Sequence, residues 1–235
     1  RAGVNAGNSI ESGGNYNVVV GDEAGTAITT GDSNTLVGMN AGDALTTAQY
    51  NVAIGHDALT TSILGSRNIA IGANALYATN PASAVDMYNI GIGHNTGSAI
   101  TTGTNNTLIG GLAGDAITTG ASNVAVGYQA LSDATTGNDN TAVGELALSN
   151  NTTAIRNTAL GSSALFTNTT GADNTAIGTG SLYANSTASN NTAVGQDALA
   201  ANTTGADNTA VGKGALDATT TGSYNVGVGV NSMGT

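Results

Sequence analysis

The sequence predicts an all-β parallel β-solenoid of about thirteen 17-residue coils, and three observations support this. A five-residue unit, Asn-x-x-(Val/Ile/Leu)-Gly, recurs along the chain at a nearly constant spacing. Only 44 of the 235 residues are Val, Ile, Leu or Phe, which is too few for a thick hydrophobic core. No segment shows the 3.6-residue apolar period of a helix, and helical repeat units are roughly 33 to 47 residues long.

Each repeat begins at an asparagine, and this asparagine occurs thirteen times. The spacing between successive asparagines is constant except between Asn68 and Asn89, where four additional residues are present. Equivalent positions of a solenoid stack about 4.8 Å apart, so each amide is expected to bond the amides above and below it. The predicted structural ladder consists of Asn17, Asn34, Asn51, Asn68, Asn89, Asn106, Asn123, Asn140, Asn157, Asn174, Asn191, Asn208 and Asn225.

The residues after each asparagine predict a short strand that ends in a turn. With the asparagine as position 1, position 2 is Val, Ile or Thr, position 4 is Val, Ile or Leu, and position 5 is Gly. Position 3 is mostly Ala or Gly. Alternate strand residues point to opposite faces, so we expect both faces of this strand to be buried. One face would fill the coil interior and the other would pack against identical chains.

Positions 9 and 12 predict one interior slot in each coil. Position 9 is usually Leu, but in four coils it is Gly, and those coils carry Ile or Leu at position 12. Close packing explains this exchange, because one slot tolerates neither two large side chains nor none. The four pairs are Gly25 with Ile28, Gly42 with Leu45, Gly97 with Ile100, and Gly114 with Ile117.

The repeat also predicts the organisation of the chain. Residues 1–16 are expected to form an incomplete entry coil, and residues 17–235 the β-solenoid repeat domain. Because the chain starts at Arg1 and the repeat stops within a coil at Thr235, a fragment of a longer fibre is expected. The extra four residues between Asn68 and Asn89 lie within residues 77–88, and insertions in solenoids map to a protruding loop.

Several repeat units resemble known families. Residues 174–178, 191–199 and 203–208 resemble the Asn-Thr-Ala-x-Gly-x-x-Ala-Leu repeats of bacteriophage-type tail fibre proteins. Residues 52–55 and 69–72 are similar to the head repeats of trimeric autotransporter adhesins, which are left-handed parallel β-rolls. The resemblance implies a left-handed β-roll or β-helix in a homotrimeric fibre. Such a fibre is a structural protein, extracellular or on the virion, that acts as a rigid spacer and in host attachment.

The resemblance leaves two other functions open. One is a bacterial surface adhesin or self-assembling extracellular filament built from the same repeat. The other is an ice-binding solenoid, because Thr141, Thr158 and Thr175 begin a Thr column at position 2 that continues to Thr209. Position 2 shares its face with the apolar position 4, so burial of these threonines is the favoured interpretation.

Composition excludes several partners and chemistries. The net charge is −11 with four Lys and Arg residues, which excludes neutralisation of nucleic-acid phosphates. No apolar run approaches the roughly 20 residues needed for membrane insertion. No Cys is present and no Ser/His/Asp set recurs, so we expect no enzyme activity, catalytic residue or cofactor. His56 and His94 lie two coils apart, about 10 Å, too far to share one metal ion.

Two sets of polar or aromatic residues are candidates for binding. Asp139, Asp173 and Asp207 recur just before the repeat asparagine, where they either bridge calcium or, as we favour, remain solvated. Exposed aromatic rings can stack on sugars, so a host surface glycan or protein is a candidate partner. The alternatives are turn packing of the aromatics and a harmless bulge at the insertion. The possible receptor contacts at the insertion are Tyr77, Pro81, Met87 and Tyr88.

Overall fold

The computed structural model describes residues 2–233 and confirms an all-β parallel β-solenoid. It has about twelve turns with a 17-residue spacing, and residues 2–233 contain no helix. The chain forms two compact units, Arg1–Ala121 and Ser122–Thr235. Arg1 and Thr235, on which we based the expectation of a longer fibre, lie outside the described residues.

The first unit contains two parallel sheets. Its main strands pair at equivalent positions of successive coils, so that Val18 faces Thr35 and Ile69 faces Ile90. A second, two-stranded sheet pairs β4 with β6 next to the insertion. The strands are β1 Val18–Val20, β2 Thr35–Val37, β3 Val52–Ile54, β4 Gly65–Ser66, β5 Ile69–Ile71, β6 Val85–Asp86, β7 Ile90–Ile92 and β8 Thr107–Ile109.

The second unit contains seven parallel strands that also pair at equivalent positions. Thr158 faces Thr175, and Ala159 faces Ala176 one residue further on. No coil of this unit departs from the 17-residue spacing. The strands are β9 Val124–Val126, β10 Thr141–Val143, β11 Thr158–Leu160, β12 Thr175–Ile177, β13 Thr192–Val194, β14 Thr209–Val211 and β15 Val226–Val228.

Each strand buries only one face within the single chain. Position 3, for example Ala142 or Leu108, is buried in the coil interior. Positions 2 and 4 point outward and are half-buried or exposed in every coil. The expectation that the Thr column is buried is therefore wrong for the single chain, because a coil this thin has room inside for only one residue of each strand.

The interior slot predicted at positions 9 and 12 is confirmed. Ile28 and Leu45 are fully buried at position 12, as Leu148 is at position 9. A Cβ atom added to Gly25 would lie 2.9 Å from the Ile28 Cδ1 atom and 2.8 Å from the Leu36 Cδ1 atom. A large residue at position 12 thus leaves no room for a side chain at position 9.

The leucines at position 9 adopt an uncommon backbone conformation. Leu148 and Leu165 have φ angles of 53° and 52°, in the left-handed region where Gly25 also lies. This conformation costs an L-residue roughly 1–2 kcal/mol, whereas full burial of a Leu side chain contributes about 1.5–3 kcal/mol. Burial in the slot therefore offsets the backbone cost.

The entry residues 2–16 stack on the first complete coil. The Gly7 amide donates to the Ala24 carbonyl at 2.9 Å, and the Glu11 amide donates to the Thr29 carbonyl at 3.0 Å. Gly7 and Ala24 are one 17-residue repeat apart in the sequence. Glu11 and Thr29 are one residue further apart than that. The entry residues thus continue the stack with a slightly different length.

Candidate functional site

The repeat asparagines of the first unit form a hydrogen-bonded ladder. The Asn17 Oδ1 atom accepts from the Asn34 backbone amide at 2.9 Å and from Asn34 Nδ2 at 3.1 Å. Asn34 Nδ2 also donates to the Ala48 carbonyl of its own coil at 3.0 Å. At the insertion the step is looser, since Asn89 N lies 3.3 Å from Asn68 Oδ1.

The ladder of the second unit has the same geometry. Asn140 Oδ1 accepts from the Asn157 backbone amide at 3.1 Å, and Asn157 Nδ2 donates to the Gly171 carbonyl at 2.9 Å. The repeat asparagines at position 1, from Asn123 to Asn208, are buried. Each buried side-chain amide thus has hydrogen-bond partners for both its nitrogen and its oxygen. These bonds hold the turn that contains positions 15 and 1 against the adjacent coil.

A second asparagine ladder lies in the second unit at position 12. Asn185 Nδ2 donates to Asn168 Oδ1 at 3.0 Å, and Asn202 Nδ2 donates to Asn185 Oδ1 at 3.1 Å. Its first member, Asn151, is buried too. Our sequence interpretation treated this position only as small or polar. The signal was there, because Asn occupies position 12 in four successive coils.

Substitution of Thr219 by Asn is expected to stabilise the protein. Asn202 Oδ1 is buried without a hydrogen-bond partner among the described residues, and Thr219 occupies the next position 12. An amide at residue 219 would donate to that oxygen as Asn202 does to Asn185, which is worth about 1 kcal/mol. Urea unfolding measures the gain. Thr219→Val is the control, and an equal gain in both variants would contradict the hydrogen-bond explanation.

The outward strand residues form a surface that we call the outer face, made of positions 2 and 4 of every coil. In all thirteen coils these positions hold only Val, Ile, Leu or Thr, and none is charged. In the second unit Leu160 is 45% exposed and Ile177 is 36% exposed. Thr141, Thr158 and the threonines that follow pair row by row beside these aliphatic residues. Within each unit the outer face is thus a regular and uncharged surface.

The four predicted receptor contacts at the insertion divide into two pairs. Tyr77 and Tyr88 are exposed. Met87 is fully buried, and Pro81 is buried as well. The expectation that Pro81 and Met87 contact a receptor does not fit this burial, because a buried side chain offers no surface to a receptor. The Met87 backbone amide donates to the Ser66 carbonyl at 3.0 Å.

Arg67 contacts two tyrosine rings, and our sequence interpretation named Tyr88 of this group but missed Arg67 and its partner Asp86. The Arg67 Cζ atom lies 4.6 Å from the Tyr50 ring centroid and 5.8 Å from the Tyr88 ring centroid. Arg67 Nε donates to Asp86 Oδ2 at 2.9 Å, and the Tyr88 hydroxyl donates to the same oxygen at 3.3 Å. The hydrogen bond to Asp86 raises the pKa of the Arg67 guanidinium. We call Tyr50, Arg67, Asp86 and Tyr88 the Tyr-Arg stack.

A groove lies alongside the Tyr-Arg stack. Its volume is about 500 Å³, and Tyr50, Arg67 and Asp86 line it. Thr47, Gln49 and Ser66 add polar side chains to its wall. The sequence signal was the recurrence of Tyr or Arg immediately before the repeat asparagine in three successive coils, at Tyr50, Arg67 and Tyr88.

One of the candidate calcium carboxylates, Asp173, is engaged by an arginine. Arg156 Nε and Nη2 donate to the two carboxylate oxygens of Asp173 at 2.6 and 2.9 Å. The hydrogen bond from Arg156 lowers the pKa of Asp173. Among residues 2–233 no group of three or more acidic or imidazole side chains lies close enough to hold a metal ion. His56 and His94 are both exposed, and His56 Nδ1 lies 3.0 Å from Asp57 Oδ2.

The other aromatic residues do not share the environment of the Tyr-Arg stack. Phe166 and Tyr183 stack on each other with ring centroids 5.3 Å apart. Tyr16 and Tyr224 are 87% and 80% exposed. The turn-packing interpretation thus fits Phe166 and Tyr183, whereas Tyr50 and Tyr88 contact an arginine.

In residues 2–233 no helix has the length and apolarity that crossing a membrane requires. Comparisons with protein-family models, with curated proteins and with solved structures find no match to this chain. The functional argument therefore starts from the ladders, the outer face and the Tyr-Arg stack.

Proposed function

We propose that this chain is a structural segment of an extracellular fibre, of the kind found in phage tail fibres and related trimeric adhesins. In this proposal it acts as a rigid spacer, contributes to host attachment and assembles as a homotrimer through the outer face. The uncharged outer face is the observation that carries the proposal. No catalytic or cofactor role is part of it.

The ladders support the role of a rigid spacer. Within each unit, every step from one coil to the next combines strand pairing with buried amide bonds, as between Asn157 and Asn174. Separating two such coils would break several hydrogen bonds between them at once, each contributing about 0.5–1.5 kcal/mol net. Each unit is therefore expected to resist local opening.

The outer face supports self-association. Exposed apolar surface that recurs without a charged residue is typical of an interaction site. Rows of this surface repeat about every 4.8 Å, and a second copy of this chain repeats with the same spacing. Each row of one chain can therefore meet a row of another, which an unrelated surface cannot match over many coils.

Charges placed on the outer face are expected to dissociate the assembly. The wild-type protein should have about three times the 22.7 kDa chain mass in light scattering. The double variant Ile177→Glu, Val194→Glu should have the mass of one chain and an unchanged β-type circular dichroism spectrum, because burial of an unpaired carboxylate is costly. A monomeric wild-type protein at micromolar concentration would contradict the trimer, and a mass that grows with concentration would indicate an open filament.

A control separates the position of the charge from the charge itself. Gln196→Glu introduces a carboxylate at an exposed site in the same coil as Val194 but outside the outer face. This variant should keep the trimeric mass. Dissociation of Gln196→Glu as well would attribute the effect to net charge alone.

Ice binding is the second candidate, and the outward Thr column favours it. Thr141, Thr158 and Thr175 pair in register, so their side chains recur with the strand spacing on the outer face. Ice adsorption needs this face to be free, whereas the trimer covers it. A monomeric wild-type protein that inhibits ice recrystallisation, with inhibition lost in Thr158→Lys, would replace the fibre proposal.

A further inference from the structure

We propose that the Tyr-Arg stack and its groove form a binding subsite for a neutral hexose-containing glycan. This inference rests on the proposed role in attachment, but it is independent of self-association through the outer face. It assigns a ligand class and contacts to a place for which the sequence interpretation gave only possible receptor contacts, with a harmless bulge as the alternative.

The insertion builds the site because the chain that follows it, β6, pairs with β4 of the preceding coil. β4 and β6 pair in parallel, which places Asp86 next to Ser66 and within reach of Arg67. Met87 anchors this segment, since a Cβ atom on Gly65 would lie only 2.9 Å from the Met87 Sδ atom. The extra residues thus bring Asp86 to Arg67 in a packed arrangement, whereas Tyr88 lies over Arg67 because both precede a repeat asparagine.

The aromatic rings provide stacking surfaces that are already oriented. Tyr50 and Tyr88 are 49% and 52% exposed, so a large part of each ring is accessible to a ligand. Contact with the Arg67 guanidinium limits their rotation, which reduces the entropy lost on binding. A pyranose ring presents an apolar C–H face of similar size to a phenol ring.

The ion pair provides adjacent donors and acceptors. Both bonds that Asp86 accepts go to Oδ2, which leaves Oδ1 for a ligand hydroxyl among the described contacts. Arg67 pairs with Asp86 through Nε, and Arg67 is one of the residues that line the groove. One hydroxyl of a vicinal diol can donate a hydrogen bond to Asp86, and the neighbouring hydroxyl can accept one from Arg67.

Charge favours a neutral ligand. Asp86 already neutralises Arg67, and the chain carries a net charge of −11. A sialylated or phosphorylated glycan would have to displace Asp86 from Arg67 against this background. The groove of about 500 Å³ lies in the range of small-molecule sites, and Thr47 and Gln49 offer further hydrogen bonds.

A glycan array with the full chain tests the proposal. The array carries malto-, manno- and galacto-oligosaccharides together with sialyllactose as the anionic arm. Wild-type protein should bind at least one neutral series and not sialyllactose. Retention of no neutral glycan, or of sialyllactose alone, would overturn the proposal.

Three variants locate the binding on the surface. Titration of the retained oligosaccharide by calorimetry should show affinity at least tenfold weaker for Tyr50→Asn and for Asp86→Asn. Tyr224→Asn is the matched control, because Tyr50 and Tyr224 share position 17, with φ angles of 58° and 61°. Asn tolerates this backbone conformation, so both Tyr variants should fold. Unchanged affinity in Tyr50→Asn would contradict the site.

Mass measurement keeps this inference separate from the proposed trimer. Light scattering of Tyr50→Asn and Asp86→Asn should give the wild-type mass, because neither residue lies on the outer face. Weaker glycan binding by these two variants, with the mass of the wild-type assembly, supports the glycan site. A trimer that binds no glycan refutes only the glycan site, and a monomer that binds one refutes only the trimer.

Discussion

Gly161→Ala is expected to destabilise the second unit by more than about 4 kcal/mol, the range of severe single substitutions. Gly161 occupies position 5 with a φ angle of 137°, a conformation that L-residues rarely adopt. A Cβ atom there would lie 2.6 Å from the Gly178 carbonyl carbon and 2.9 Å from the Thr179 nitrogen. These are backbone atoms of the next coil, so relief requires the two coils to separate. Urea unfolding followed by circular dichroism measures the loss.

Gly229→Ala is the matched control because it separates backbone strain from coil contact. Gly229 also occupies position 5, with a φ angle of 120°, but an added Cβ atom would meet nothing within 4 Å. The free energy of unfolding of this variant should fall only by the cost of placing an L-residue at this φ angle, about 1–3 kcal/mol. Equal losses in Gly161→Ala and Gly229→Ala would show that close stacking of the coils is not what requires glycine.

Features that repeat with the period could be predicted from sequence. The strand at positions 2 to 4, the asparagine at position 1 and the exchange between Gly25 and Ile28 each recur in register. Stacking turns such recurrence directly into contact, since equivalent positions of successive coils lie next to each other. The second ladder, from Asn151 to Asn202, was predictable on the same grounds, although we interpreted those asparagines only as small or polar.

Features that depend on one local arrangement could not be predicted in this way. The positive φ angle of Leu148 runs against the intrinsic preference of leucine, and the residue type at position 9 does not indicate it, since Gly25 has the same angle there. The insertion breaks the period, so sequence could not show that Pro81 and Met87 turn inward while Arg67 meets Asp86. The candidate site therefore combines Tyr50, Arg67 and Tyr88, which follow the repeat, with Asp86, which only the insertion brings to Arg67.

Asn157→Ala is expected to cost about 3–5 kcal/mol, because it removes several buried hydrogen bonds at once. The Gly171 carbonyl loses the donor Nδ2, and the Asn174 backbone amide loses the acceptor Oδ1 at 3.0 Å. Asn150→Ala is the control, since Asn150 lies in the preceding coil and is half-buried. Its loss in urea unfolding should stay within about 0.5 kcal/mol, as for ordinary surface substitutions.

Asn157→Asp separates hydrogen bonding from side-chain volume. Asp has nearly the same size as Asn, so a site that required only volume would tolerate it. In the ladder, however, the carboxylate would face the Gly171 carbonyl, to which Asn157 Nδ2 now donates at 2.9 Å. Burial beside that oxygen would raise the pKa of the new carboxyl above its unfolded value. The destabilisation should therefore be largest at neutral pH and decrease as the pH falls through the folded pKa, because the protonated acid can donate again. A pH-independent loss would show that Asn157 serves packing and not the ladder.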